Sequence, residues 1–426
     1  MTKPGYKMTE IGEIPEEWKI DMISNLKESM YYGITAKSTE QSSDLRFLRT
    51  TDISDFSFNP ADLPYCEITG TKPDLSKYYL KQGDIIVARA GTVGVSVLVK
   101  RDLLNTIFGS YLIKLVFNKQ LVNANFVHYY FQSDIYWGKL RAAQGSTIKN
   151  ISLPFLRALL LPVPPLSEQH KIAEIIATAD EAIQKVNEEI TLTEKLKKGL
   201  MQILLTKGIG HTKFKMTAIG EMPAEWRTEK ISKLGQIVTG GTPSTSEPAY
   251  WNGEIPWIAS GDVHQRYIKM ARKFITQEGY LKSNCNLLPI GTVLIALNGQ
   301  GKTRGLSAIL DIEAVCNQSM AGIIPKRDIL NSVYLLYHLL NRYAEIRNIS
   351  GIGRNGLNLE HIGNIVISCP PLIEQEKIAE IISTIDNKLL LLGHKKERLE
   401  RLKKGLMGDL LTGKVRVKIN TSKGED

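Results

Sequence analysis

The sequence predicts an α+β protein in which two globular mixed α/β domains are joined by two long coiled-coil helices, the halves forming an internal pseudo-twofold repeat. Three observations predict this. A block near the start of the chain recurs in its middle, a second block recurs before two long helical stripes, and the regions between the blocks diverge while their spacing holds.

The opening block runs Met8-Thr-Glu-Ile-Gly-Glu-Ile-Pro-Glu-Glu-Trp18 and returns 208 residues on as Met216-Thr-Ala-Ile-Gly-Glu-Met-Pro-Ala-Glu-Trp226. The second block, from Pro164-Pro165-Leu166-Ser167-Glu168-Gln169 to Ile176, returns at an offset of 206 as Pro370-Pro371-Leu372-Ile373-Glu374-Gln375 to Ile382. Leu196-Lys-Lys-Gly-Leu-Met201 then matches Leu402-Lys-Lys-Gly-Leu-Met407, and Leu204-Leu-Thr206 matches Leu410-Leu-Thr412.

A proline pair cannot sit inside a helix but can precede one. After the first pair, Ile172, Ile176, Ala179, Ile183, Val186 and Ile190 recur at spacings of three and four, and Leu196, Leu200 and Ile203 extend the stripe after a slip. After the second, Ile378, Ile382, Ile385, Leu389, Leu392, Leu399, Leu402, Leu406 and Leu410 do the same. Each helix is expected to run about 40 residues, roughly 60 Å, with the other copy as its partner. Gly208 and Gly413 stand where a C-cap needs a left-handed residue.

Between the blocks, 85–88, 95–99, 111–116, 292–297 and 321–324 read as strands, and 125–141 and 332–348 as aromatic-rich helices. Faint echoes at offset 208 pair Gly83–Ala88 with Gly291–Ala296, Gly91 with Gly299, Gly145 with Gly353 and Asn150 with Asn358.

The bulk composition fits a soluble globular chain of 426 residues, 43% hydrophobic and 23% charged, with formal net charge +10. A basic excess suits a phosphate-binding surface. No run of about 18 apolar residues spans a membrane, and the first residues lack the apolar core of a signal peptide, so a cytoplasmic protein is expected. Cys66, Cys285, Cys316 and Cys369 form no CxxC pair and read as core thiols rather than metal ligands. Gly299-Gln-Gly-Lys-Thr303 imitates a phosphate loop, but Ala296 stands where its first glycine belongs, and the following residues read as a strand. The proline pairs lack the preceding asparagine of an adenine methyltransferase, and no catalytic carboxylate cluster is evident.

What remains is binding chemistry. Arg and Lys pair with guanine edges, and Asn and Gln with adenine edges. The candidates in the first divergent region are Lys37, Arg49, Arg89, Thr92, Gln144, Ser146, Thr147 and Lys149. Those in the second are Thr242, Ser244, Asn298, Gln300, Lys302, Arg304, Arg354, Asn355 and Asn358. Tyr31, Tyr32, Tyr129, Tyr130, Trp251, Trp257 and Tyr337 read as core.

The IGxxPxxW, PPLxEQxKIAxII, LKKGLM and LLT repeats, in this duplicated order, resemble the specificity subunit of type I restriction–modification systems over nearly the whole chain. The resemblance implies a target-recognition domain with the first opening block at 1–163, a central helix at 164–207, a second recognition domain and block at 208–369, a C-terminal helix at 370–412 and a tail at 413–426. It implies antiparallel helices that set the gap between two halves of an asymmetric DNA site. It implies a subunit without catalysis or cofactor of its own, docked to two modification subunits and to restriction subunits, which bring S-adenosylmethionine, ATP and Mg2+. The resemblance places protein contacts near Trp18, Trp226, Glu168, Gln169, Glu374 and Gln375. A stand-alone enzyme and a coiled-coil adaptor without DNA recognition are the alternatives.

Overall fold

The computed structural model describes residues 3–68, 74–144, 150–299, 301–349 and 356–419. The chain divides into two compact units, one of residues 1–187 and 394–426, the other of 188–393. The two long helices, Leu166–Lys207 and Leu372–Leu410, each contribute one half to each unit.

In the first unit the opening block folds as a hairpin, Tyr6–Thr9 against Gly12–Pro15. Strands Lys27–Tyr32, Leu112–Phe117, Ile85–Ala88 and Ser96–Leu98 form an antiparallel sheet in that order. A second sheet orders Thr106–Phe108, Arg46–Leu48, Tyr65–Glu67 and Lys37–Thr39, its first pair parallel. Helices Ala124–Gln132 and Asp134–Gln144 cover the first sheet, and Leu160–Val163 pairs with Lys19–Met22 before the long helix begins.

The second unit repeats this plan with changed lengths. A hairpin joins Phe214–Thr217 to Gly220–Pro223. Strands Gly235–Thr239, Met320–Pro325, Val293–Ala296, Ser307–Leu310 and Tyr267–Ile268 make a five-stranded sheet. Lys273–Ile275, Trp251–Ile258 and Val315–Cys316 make a smaller one. Helices Ser332–Asn341 and Tyr343–Arg347 follow. Both expected aromatic helices are therefore broken once, at Ser133 and at Arg342. The small sheets, built from strands of two or three residues plus Trp251–Ile258, have no periodicity long enough to announce them.

Within each unit the long helices pack antiparallel. Ile172, Ala173 and Ile176, at the start of one, share a core with Met407, Leu410 and Leu411, at the end of the other. In the second unit Met201, Leu204 and Leu205 share a core with Ile378, Ala379 and Ile382. The expected single stripe needs correction: Leu196, Ile203 and Leu402 are more than half exposed. The helix ends serve the recognition cores as well as each other, so Met201, Leu204 and Leu205 turn inward instead. Each buried aliphatic side chain stabilises its unit by about 1.5–3 kcal/mol.

Among the described residues no helix is long and apolar enough to cross a membrane. All four cysteines are free and buried.

Candidate nucleic-acid interface

The repeated blocks form the framework on which the divergent residues are held. Trp18 is fully buried and its indole N–H donates to Glu168 Oε2 at 3.0 Å. Trp226 is equally buried and donates to Glu374 Oε2 at 2.9 Å. Gln169 Oε1 accepts from the Asn123 amide at 2.8 Å, and Gln375 Oε1 from the Asn331 amide at 2.9 Å. Their Nε2 groups donate to the carbonyls of Leu121 and Pro164, and of Ile329 and Pro370. Pro165 and Pro371 leave their carbonyls to the first free amides of the long helices.

Glycine closes each of these corners. Gly208 and Gly413 have φ of +66° and +70°. A Cβ on Gly208 would lie 2.6 Å from the Trp226 ring, and one on Gly413 3.1 Å from the Trp18 ring. Around Glu168 the remaining donors come from Arg416, at 2.7 and 3.0 Å; around Glu374 they come from the Ile209 amide and His211, both at 2.9 Å. The first hairpin also reaches the end of the second long helix here, since the Tyr6 hydroxyl donates to the Gly413 carbonyl.

The six side chains expected near partner contacts, Trp18, Glu168, Gln169, Trp226, Glu374 and Gln375, are thus engaged inside their own units.

Above this framework, loops far apart in sequence converge. In the first unit, residues 89–95 link Ile85–Ala88 to Ser96–Leu98, two antiparallel strands of the first sheet. The Arg89 amide donates to the Tyr111 carbonyl at 2.9 Å, and the Arg89 carbonyl accepts from Ile151 at 2.9 Å. Gly91, at φ +77°, comes against the Thr50 hydroxyl. Arg49, Thr50 and Tyr111 line, with Thr35 and Ser38, an open concavity of about 390 Å³. Arg49, Arg89 and Thr92 therefore share one rim, with Lys37 on the adjoining edge strand.

The two rim arginines differ. Arg49 donates to Asp52 through Nε at 3.0 Å and Nη2 at 2.7 Å, and this carboxylate holds its pKa above the ordinary value. Arg89 lies over the Tyr32 ring, 4.5 Å from its centroid, with Nε donating to Asn150 Oδ1 at 3.3 Å.

The second rim uses the same backbone slots with other residues. The Leu297 amide donates to Ser319, and the Leu297 carbonyl accepts from Leu357, both at 2.8 Å. Thr242 donates to Gln318, and Asn298 lies exposed beside Gly356. The connecting loop, 297–306, is three residues longer than its counterpart. It carries Lys302, whose carbonyl accepts from the Tyr343 hydroxyl at 2.7 Å, and Arg304. Ser244 is exposed and bonds Ser246. The phosphate-loop imitation falls here and leads into strand Ser307–Leu310 rather than a helix.

Asn358 needs correction. It caps helix Leu359–Gly363, as Ser152 caps Leu153–Ala158, so its counterpart is Ser152 and not Asn150. Its side-chain oxygen accepts from the His361 amide at 2.7 Å, which turns it toward a capping role. Gln144 ends its helix; Ser146, Thr147, Lys149, Gln300, Arg354 and Asn355 lie outside the described residues.

Of the aromatic residues read as core, Tyr130 and Tyr337 are fully buried, but Tyr32 is half-buried and supports Arg89. The sequence reading missed Thr50, Tyr111 and Gln318, which reach the rims from short turns without any pattern. Among the described residues no group of His, Cys, Asp and Glu could hold a metal ion.

A duplicated α+β framework presenting two unlike polar rims defines a class of two-site recognition proteins. The particular family follows from comparison. The model of the type I restriction modification DNA specificity domain matches twice, over residues 10–194 and 223–401, and the chain belongs to that family. It is 28% identical to a protein of Methanocaldococcus jannaschii named for the MjaX type I restriction enzyme specificity subunit, covering 97% of each chain. It is 31% identical to the MjaVIII specificity subunit of the same organism, over 65% of this chain and 66% of that one. The fold is similar to the type I restriction–modification S subunit of M. genitalium, with TM-score 0.60, 17% identity and coverage of 96% and 99%.

Proposed function

We infer that this chain is the non-catalytic DNA-specificity subunit of a type I restriction–modification complex. Each recognition unit reads one half of a bipartite, asymmetric DNA site, and the paired helices set the spacing. The observation that carries this reading is the pair of rims: the same backbone slots, held by the same framework, present Arg89 in one unit and Leu297 in the other. Two copies of one fold with unlike readers give an asymmetric site, whereas two identical copies would give a palindrome. The readers would be drawn from the exposed and half-buried residues of the rims, and the net charge of +10 supplies phosphate attraction.

The partners are double-stranded DNA, two modification subunits and restriction subunits. S-adenosylmethionine, ATP and Mg2+ belong to those subunits, with none bound by this chain, and the assembly works in the cytoplasm. Footprinting of the complex with its modification subunits tests the reading. Two protected blocks with a fixed gap, and affinity falling steeply with salt, are expected. Protection without sequence preference would leave a coiled-coil adaptor instead.

A further inference from the structure

The geometry points to Arg89 as a guanine reader: its guanidinium, laid on Tyr32 and held at Nε by Asn150, specifies one guanine in the half-site read by the first unit. This rests on the functional reading above and adds the residue and the base.

A loop arginine is ordinarily a poor specificity element, because its long side chain samples many rotamers and binds phosphates as readily as bases. Here that freedom is removed at three levels. The backbone of Arg89 is pinned on both sides, by the Tyr111 carbonyl and the Ile151 amide, each at 2.9 Å. The guanidinium carbon sits over the Tyr32 ring, 4.5 Å from its centroid. That ring is itself fixed, since the Leu153 amide donates to the Tyr32 hydroxyl at 3.2 Å. Finally, Nε is directed at Asn150 Oδ1. An arginine arranged this way has lost much of its entropy before any ligand arrives.

What the arrangement leaves is chemically specific. With the ring on one face and Asn150 at Nε, the terminal Nη1–Nη2 edge remains; among the described residues no hydrogen bond from either group is present. Two parallel N–H donors on one edge match the O6 and N7 acceptors of guanine in the major groove. Adenine offers an N6 donor at the O6 position and repels this edge. Arg49, on the same rim, cannot serve in its present arrangement, because Asp52 already takes its Nε and Nη2. The second unit fills the equivalent backbone slot with Leu297, which is 6% exposed. This guanine is therefore read in one half-site without a counterpart in the other.

The test uses the complex assembled with its modification subunits, probed by selection from random-sequence DNA and by methylation mapping, for the native chain, Arg89→Ala and Arg89→Lys. Both variants should relax one guanine position in one half-site, with about five- to 150-fold loss of discrimination there. The other half-site and the gap should stay unchanged. Lysine keeps the charge and a long stem but not the planar two-donor edge, so it separates base reading from simple attraction. An unaltered motif in both variants overturns the assignment. So does a uniform loss of affinity on all sequences, which marks a phosphate contact, or full retention of the guanine by Arg89→Lys. A native complex without any sequence motif overturns the functional reading, and this inference with it.

Discussion

The first unit buries an ion pair, Lys114 Nζ to Asp84 Oδ2 at 3.0 Å, at the two positions where the second unit carries Gly322 and Thr292. All four residues lie 208 apart in pairs, and strand pairing places Lys114 opposite Ile86 as it places Gly322 opposite Leu294. The tryptophan–glutamate and glutamine–amide contacts of the two units, by contrast, repeat within about 0.1 Å. Tyr129 and Tyr337 likewise both donate to a helix aspartate, Asp180 and Asp386, and each aspartate pairs with a lysine of the other helix, Lys403 and Lys197. At these aspartates the units part again: Arg266 reaches Asp386 in the second unit, whereas a cavity of about 920 Å³ adjoins Asp180 in the first. The comparison teaches that the contacts fastening recognition region to helix are held constant, while substitutions beneath and around the rims are free so long as they compensate locally.

The largest expected effect breaks the comparison at the level of function. Replacing residues 19–163 with the corresponding region of another family member should rewrite one half-site and leave the other intact, as read by methylation mapping. If both halves change together, the units are not independent readers.

Next come two tests of what is held and what is free. Trp226→Ala removes a fully buried ring and one of the three donors on the Glu374 carboxylate, and should cost about 3–5 kcal/mol in chemical denaturation. Breaking the ion pair by Lys114→Met should cost the first unit about 3–5 kcal/mol, because Asp84 is left charged and buried, and adding Asp84→Leu should recover most of it. A double variant no more stable than Lys114→Met would contradict local compensation.

The pH response is smaller and shared. Burial pushes His128 down to about 3, helped by the charges of Lys403 and Lys100, and burial pushes His338 down to about 3, with Arg342 contributing. Unfolded histidine titrates near 6.5. The unfolded chain therefore binds these protons first, so stability is intact above about pH 6.5 and falls as pH drops toward 3. At pH 5 each histidine should cost its unit about 2 kcal/mol, and His338→Gln should flatten that part of the denaturation profile in the second unit.

The smallest effects distinguish glycines. Gly208→Ala forces a side chain into the left-handed region and against Trp226, and should destabilise by about 2 kcal/mol or more. Gly199 lies within the long helix with nothing within 4 Å of a Cβ, so Gly199→Ala should stabilise by about 0.5–1 kcal/mol. Thermal melting of the two variants gives shifts of opposite sign.

Much of this framework was legible in the sequence, because repetition and long helical periods are strong signals. The helices observed, Leu166–Lys207 and Leu372–Leu410, lie where the proline pairs and closing glycines put them. The major strands were legible too, since their residues are buried on both faces. The rims were legible only in part. Arg89, Thr92 and Asn298 stood out because glycines lie beside them, but Tyr32 reads as core until the fold sets Arg89 on it. The Asn358 pairing misled because a helix cap and a loop amide use the same residue type. Convergence of short turns is a tertiary property, and no local pattern carries it.

Methylation mapping of DNA modified by the complex tests the central claim most directly. Two unlike readers on one framework predict a motif of two short, different, specified blocks separated by a constant unspecified gap. A single contiguous motif, or a palindromic one, would contradict it.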